Sequence, residues 1–372
     1  MNTAAFRSIL PGLVPCLAIA AAATLLGKAV PEVGAAIFAL GAGILGRAVL
    51  DTRGRKRRPG RDADLARDRG ADQSPPRALS LIQKGVTFSS KLVLQVAIVF
   101  LGAKTSLTRV AEVGSESLLV LFTSLAAAFL TAWIVGRALK VEPKLAALVG
   151  TGTAICGGSA IAAAAPVIGA EETDTAYAFS VIFAFNLAAV FIFPPLGRLF
   201  GLSDPGFGLW AGTAINDTSS VVAAGYAWSV AAGDYAVVVK LARTAMIVPV
   251  TLALGALASR GAFEKAPSGT VLEASGTVLG GKRRRVAPLP WFILAFLGAS
   301  LARSLGIIPE AAGLLLAECG VFMIAAALAG IGLATDFRRI VRTGWRPLLL
   351  GLAVWFAVAG SSLGVQVLLG SA

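Results

Sequence analysis

Two basic side chains stand inside an apolar stretch, Tyr235-Ala-Val-Val-Val-Lys240-Leu-Ala-Arg243-Thr-Ala-Met-Ile-Val-Pro249. At that spacing on a helix, Lys240 and Arg243 project from one face. A charge deep in a membrane span costs about 2.5–3.5 kcal/mol even on lenient insertion scales, so it needs a reason. Guanidinium is a planar fork of donors suited to oxyanions, and the pair reads as a cationic patch for an anionic substrate. Two structural alternatives stand beside that reading. One is snorkelling to the interface, more credible for Lys240 than for Arg243. The other is a buried ion pair with Asp217, which can coexist with transport if Asp217 holds Arg243 between events.

A doubled motif supplies the rest of the candidate chemistry. Gly152-Thr-Ala-Ile-Cys-Gly-Gly-Ser-Ala-Ile-Ala-Ala-Ala-Ala165 aligns without a gap on Gly212-Thr-Ala-Ile-Asn-Asp-Thr-Ser-Ser-Val-Val-Ala-Ala-Gly225. Thr153, Ser159, Thr213, Thr218 and Ser219 offer neutral hydroxyl donors, Asn216 an amide, and Gly157 and Gly158 backbone N–H groups able to cradle an anion. The plainer alternative for the hydroxyls is bonding back to their own helix carbonyls. Asp217 is the candidate coupling carboxylate, either titrating or helping to hold Na⁺. Asn186 faces either this site or a neighbouring helix. A lipid-facing helix has no use for such glycines and polar groups, whereas a broken or re-entrant segment facing a solvated cavity does.

The elements that must position these residues are membrane spans. Mean hydropathy is +0.80, and long apolar runs alternate with short polar joints. Runs of about 20 apolar residues suffice to span. Such segments fall at roughly 8–27, 32–50, 86–107, 117–137, 145–169, 175–197, 207–231, 235–258, 288–306, 311–334 and 347–370. The expectation is an all-α polytopic membrane protein, one transmembrane domain over 1–372 with about 9–11 membrane segments. The first run lacks a convincing cleavage site and reads as a retained span.

The net charge of +13 concentrates in two loops, 51–78 and 259–287, without the interleaved aromatics of a nucleic-acid module. Both read as basic cytoplasmic loops, which places the N-terminus in the cytoplasm of a bacterial inner membrane. Anionic lipid headgroups of the bilayer are a secondary partner, and nucleic acid is excluded. The chain has no histidine, and its three cysteines have no metal or disulfide spacing. No cofactor and no metal are expected, and no enzyme.

A second echo pairs Gly102-Ala-Lys-Thr-Ser-Leu-Thr-Arg-Val-Ala-Glu-Val-Gly114 with Gly332-Leu-Ala-Thr-Asp-Phe-Arg-Arg-Ile-Val-Arg-Thr-Gly344, and Leu40-Gly-Ala-Gly-Ile44 resembles Leu297-Gly-Ala-Ser-Leu301. The flanking segments run in opposite directions, so the copies are inverted, as in many secondary transporters. If the two Gly-Thr-Ala-Ile segments span, they run parallel and break that symmetry. If both are re-entrant hairpins, entering from opposite faces, the whole chain obeys it. Hairpins are the favoured reading, and close-packed Gly/Ala-rich spans the alternative.

The two Gly-Thr-Ala-Ile segments, the Val-Lys-Leu-Ala-Arg stretch and Ile-Val-Phe-Leu-Gly-Ala-Lys-Thr-Ser-Leu together resemble the bacterial YeiH-type family, over nearly the whole chain from about residue 30. That resemblance implies an inner-membrane secondary carrier with sulfate or sulfonate export as its assigned role. It supplies no residue-level site. The expected function is therefore alternating-access transport of a small anion, with H⁺ or Na⁺ as candidate coupling ions and a homo-oligomer left open. An anion channel is the main rival, but polarity gathered at two motifs favours a discrete site over a continuous pore. An integral-membrane enzyme lacks a nucleophile–base pair or metal cluster, and a nucleotide-driven pump lacks a phosphate-binding loop.

Overall fold

The computed structural model describes residues 3–29, 34–56, 77–263, 291–335 and 344–371. These form helices and short joints, with no strand among the described residues. Among the described residues, seven helical stretches are long and apolar enough to cross a membrane. The chain opens with α1 (Thr3–Ala29) and α2 (Gly34–Lys56). Next, α3 (Arg77–Phe88) runs through a π turn at Ser89–Val93 into α4 (Leu94–Gly102), and α5 (Leu107–Ala138) follows.

The doubled motif forms two hairpins. In the first, α6 (Pro143–Ala154) and α7 (Gly158–Ile168) are separated by Ile155, Cys156 and Gly157. Gly157 sits at φ 67°, ψ −125°, a conformation that needs glycine and lets the chain reverse. In the second, α9 (Asp204–Ala214) and α10 (Thr218–Trp228) are separated by an extended Ile215-Asn216-Asp217. Two hydrogen bonds close the mouths. Lys144 Nζ donates to the Gly169 carbonyl at 2.9 Å, and Trp228 Nε1 donates to Asp204 Oδ1 at 2.7 Å. Each segment thus returns to the face it entered from, and both are re-entrant. A helix of this length rises about 17 Å, roughly half the hydrocarbon thickness, so each tip ends near mid-depth. Between them runs α8 (Glu172–Leu199), whose 28 residues cross the whole layer and set the hairpins on opposite faces.

After the second hairpin, α11 (Val230–Thr244) bends at Ala245 and Met246 into α12 (Ile247–Ser259). The chain ends with α13 (Trp291–Ser304), α14 (Glu310–Ala334) and α15 (Trp345–Leu369). The second echo is visible as equivalent contacts. Ser300 donates to the Gly102 carbonyl at 3.1 Å, while a Cβ on Gly43 would lie 2.9 Å from the Gly332 Cα. So α13 packs on α4 as α2 packs on α14. The α4 end carries Lys104, bonded to Asp234, whereas the α14 end lies by Arg47. These two helices run in opposite directions, as the inverted repeat requires.

The face holding the first hairpin's mouth carries Arg137, Lys140, Lys144, Arg260 and Arg346. Most of the two basic loops, residues 57–76 and 264–290, and most of the Arg338–Arg346 joint lie outside the described residues. Arg198 falls on the opposite face, as the hairpin reading required, with its guanidinium 5.8 Å from the Trp228 ring centroid.

Candidate functional site

Each hairpin tip presents two helix ends at membrane depth: the C-terminus of one half-helix and the N-terminus of the next. The C-terminal ends carry carbonyls without intrahelical partners and a partial negative charge. Lys240 and Arg243, both fully buried, meet that demand. Lys240 Nζ donates to the carbonyls of Ile155 at 2.7 Å and Ile215 at 2.8 Å. Arg243 donates from Nη2 to Thr153 and from Nε to Ala154, both at 2.5 Å, and from Nη1 to Thr213.

Ile155 and Ile215 hold the same place in the two copies of Gly-Thr-Ala-Ile, as do Thr153 and Thr213. One ammonium and one guanidinium therefore each bridge equivalent carbonyls of both repeats. At the end of α6 the pairing is complete, because Ile155 N–H bonds Thr151 at 3.1 Å and Gly157 N–H bonds Gly152 at 2.9 Å. Neither structural alternative from the sequence holds. Full burial rules out snorkelling, and among the described residues no ion pair joins Asp217 to either cation.

The N-terminal ends differ between the copies. Asp217 caps α10, its Oδ2 accepting the Ser219 N–H at 3.0 Å and the Ser219 hydroxyl. The first turn of α7 has no side-chain cap, since its N-cap is Gly157. The two breaks touch: a Cβ on Gly157 would lie 3.3 Å from Asp217 Cβ. Gly158 is close to Phe179, at 2.8 Å by the same measure, and Ser159 is exposed on the first turn of α7. Thr218 is half-buried at the start of α10.

The polar side chains then divide. The Thr213 hydroxyl bonds back to Leu209 at 2.6 Å and pairs with Ser362 Oγ at 2.6 Å, so it is structural. Ser219 is held by Asp217. Thr153 Oγ1 and both amide atoms of Asn216 are buried without a partner. Asn186, left undecided by the sequence, faces the crossing and accepts the Asp217 N–H at 3.1 Å. Sequence reading missed the carbonyls of Thr153, Ala154, Ile155, Thr213 and Ile215, since a carbonyl has no residue-type signature. It also missed Ser362 and Gln366 of α15, which form a hydrogen-bonded line with Thr213.

Paired re-entrant hairpins entering from opposite faces of an all-helical, multi-span chain, with polar tips in contact, define a polytopic membrane protein built around a midplane polar crossing. The chain belongs to the family described as "Conserved hypothetical protein 698", whose family model matches residues 75–351. It is similar to a "UPF0324 membrane protein" of Clostridium tetani, 41% identical over 291 residues that cover 78% of this chain and 84% of that one. It is also similar to UPF0324 membrane proteins of Streptococcus pyogenes serotype M6, 37% identical with 97% of each chain covered, and of Streptococcus pneumoniae serotype 4, 38% identical with 96% and 97% covered. Those names place the relatives in a membrane and state no substrate. No solved structure matches this chain.

Proposed function

We propose that this protein is a secondary carrier of a small oxyanion, sulfate or a sulfonate, that binds where the two hairpin tips meet. The supporting observation is the unsatisfied polarity there. Asn216 is 1% exposed, and neither its amide N–H groups nor its oxygen has a partner. A buried amide left unpaired costs about 1–3 kcal/mol, which a bound ligand recovers. The uncapped N-terminus of α7 lies against the same break, and a helix N-terminus favours negative charge. The side-chain balance agrees, with two buried basic groups, Lys240 and Arg243, against one carboxylate, Asp217, at the crossing.

In this reading Lys240 and Arg243 act on the anion through the field of the tip rather than by direct contact, because their hydrogen bonds go to carbonyls. Asn216, the α7 amides and Ser159 supply the hydrogen bonds. Alternating exposure follows from the two hairpins opening to opposite faces, with the basic face cytoplasmic. Coupling is assigned to Asp217 at the same break.

The test is exchange of radiolabelled sulfate in proteoliposomes loaded with unlabelled sulfate, with wild type and Asn216→Leu. Saturable counterflow in wild type, reduced at least about tenfold in an Asn216→Leu protein that melts normally, is expected. Absence of flux for sulfate and simple sulfonates discards the substrate. Flux that rises linearly without saturation favours a channel.

A further inference from the structure

Carriers built on broken helices commonly use unwound carbonyls and half-helix C-termini to coordinate Na⁺. Here five such carbonyls, from Thr153, Ala154, Ile155, Thr213 and Ile215, converge at the crossing of the two hairpins. We propose that Lys240 and Arg243 are tethered counter-cations that permanently fill this carbonyl cage, so that the protein takes up its anion without Na⁺ or any other alkali cation. This rests on the carrier reading and decides its coupling chemistry.

Three observations carry it. Four of the five cage oxygens form symmetry-equivalent pairs, Ile155 with Ile215 and Thr153 with Thr213, and each pair converges on one cationic group from the same turn of α11, with Ala154 as the fifth. A site shared by two inverted copies is where an exchangeable ion would sit; here the ammonium sits there at 2.7 and 2.8 Å. Both cations are also fully buried, with no carboxylate ion-paired to them among the described residues, so the carbonyls are their counter-charge. Close packing fixes them in place. A Cβ on Gly212 would lie 2.8 Å from Val239, so α9 and α11 touch backbone to side chain beside Lys240. With these five carbonyls taken, the half-helix oxygens that would hold Na⁺ are occupied, which points away from Na⁺ symport.

Melting of the purified full-length protein, followed by tryptophan fluorescence, tests this without needing transport. NaCl, KCl and LiCl are titrated against choline chloride at fixed ionic strength, for wild type and Lys240→Ala. An ion bound at about a hundredfold excess over its dissociation constant raises a melting point by several degrees. The expected result is no alkali-specific shift in wild type. Lys240→Ala is expected to melt lower and to recover with Na⁺ or with methylammonium, which refills the vacated position. An alkali-specific rise in wild type overturns the proposal. So does a folded Lys240→Ala that melts like wild type and ignores every cation. If Lys240→Ala cannot be purified folded, the wild-type titration alone decides. Failure of sulfate exchange in liposomes alongside the expected melting results removes the carrier reading and leaves the resident cations standing.

Discussion

At the residue scale, Arg243 and Asn216 make opposite predictions. Arg243 satisfies three carbonyls in the interior, so Arg243→Ala strands them where no water replaces the donor. A loss of about 3–5 kcal/mol is expected, read as a lower melting point or poor recovery from the membrane. Loss of transport in that variant therefore says little about anion contact. Asn216→Leu removes a side chain that makes no bond, so stability should stay within about 1 kcal/mol of wild type or improve. Equal stability with lost sulfate exchange marks a ligand group, whereas a large drop in melting point marks a structural one. Gly157→Ala places a Cβ in a glycine-only conformation, with an expected penalty of order 1–3 kcal/mol. Its melting point should fall accordingly, and an unchanged one means that the tip can relax.

At the element scale, the hairpins hold their mouths shut with groups on opposite faces. Lys144 reaches Gly169 on one side, and Trp228 reaches Asp204 and stacks on Phe207 at 4.3 Å on the other. Cysteine labelling with an impermeant maleimide, in a background lacking Cys16, Cys156 and Cys319, checks this directly. Glu142→Cys and Ala170→Cys should label from one face, Ser203→Cys and Ser229→Cys from the other. Labelling of Glu142→Cys and Ala170→Cys from different faces means that the segment spans. The positive-inside bias further predicts that the first pair is cytoplasmic.

At the scale of the whole molecule, the face opposite the first hairpin's mouth holds a cavity of about 670 Å³ lined by Lys104, Arg109, Asp234, Tyr235, Val238 and Arg303. Asp234 ties it together, accepting from Lys104 Nζ and from the Tyr226 hydroxyl, each at 2.6 Å. These bonds join the α4–α5 joint to the hairpin unit, the place where the proposed carrier cycle requires relative movement. A partly exposed ion pair is worth only about 0–1 kcal/mol, so Asp234→Asn should fold normally. Val238 is 4% exposed. Labelling of Val238→Cys should rise several-fold when Asp234→Asn loosens the joint, and unchanged labelling means that this contact does not restrain opening.

The sequence by itself determined the all-helical membrane class, because long apolar runs leave the backbone no other way to satisfy its hydrogen bonds. It also pointed to the inversion, because the Gly102 and Gly332 echoes lie on oppositely directed helices. It favoured two broken segments at the doubled motif, but close-packed spans stayed open until the positive-φ Gly157 and the extended Ile215-Asn216-Asp217 showed the chain reversing. It located Lys240 and Arg243 as the unusual charges. Their partners were decided only in three dimensions. Charge and spacing along α11 suit an anion as well as a carbonyl, and backbone oxygens from residues some 25 to 90 positions away become ligands only when the hairpins cross. Tertiary structure likewise separated the hydroxyls. Thr213 found Ser362 and Ser219 found Asp217, while Asn216 was left without a partner at the place where the two repeats meet.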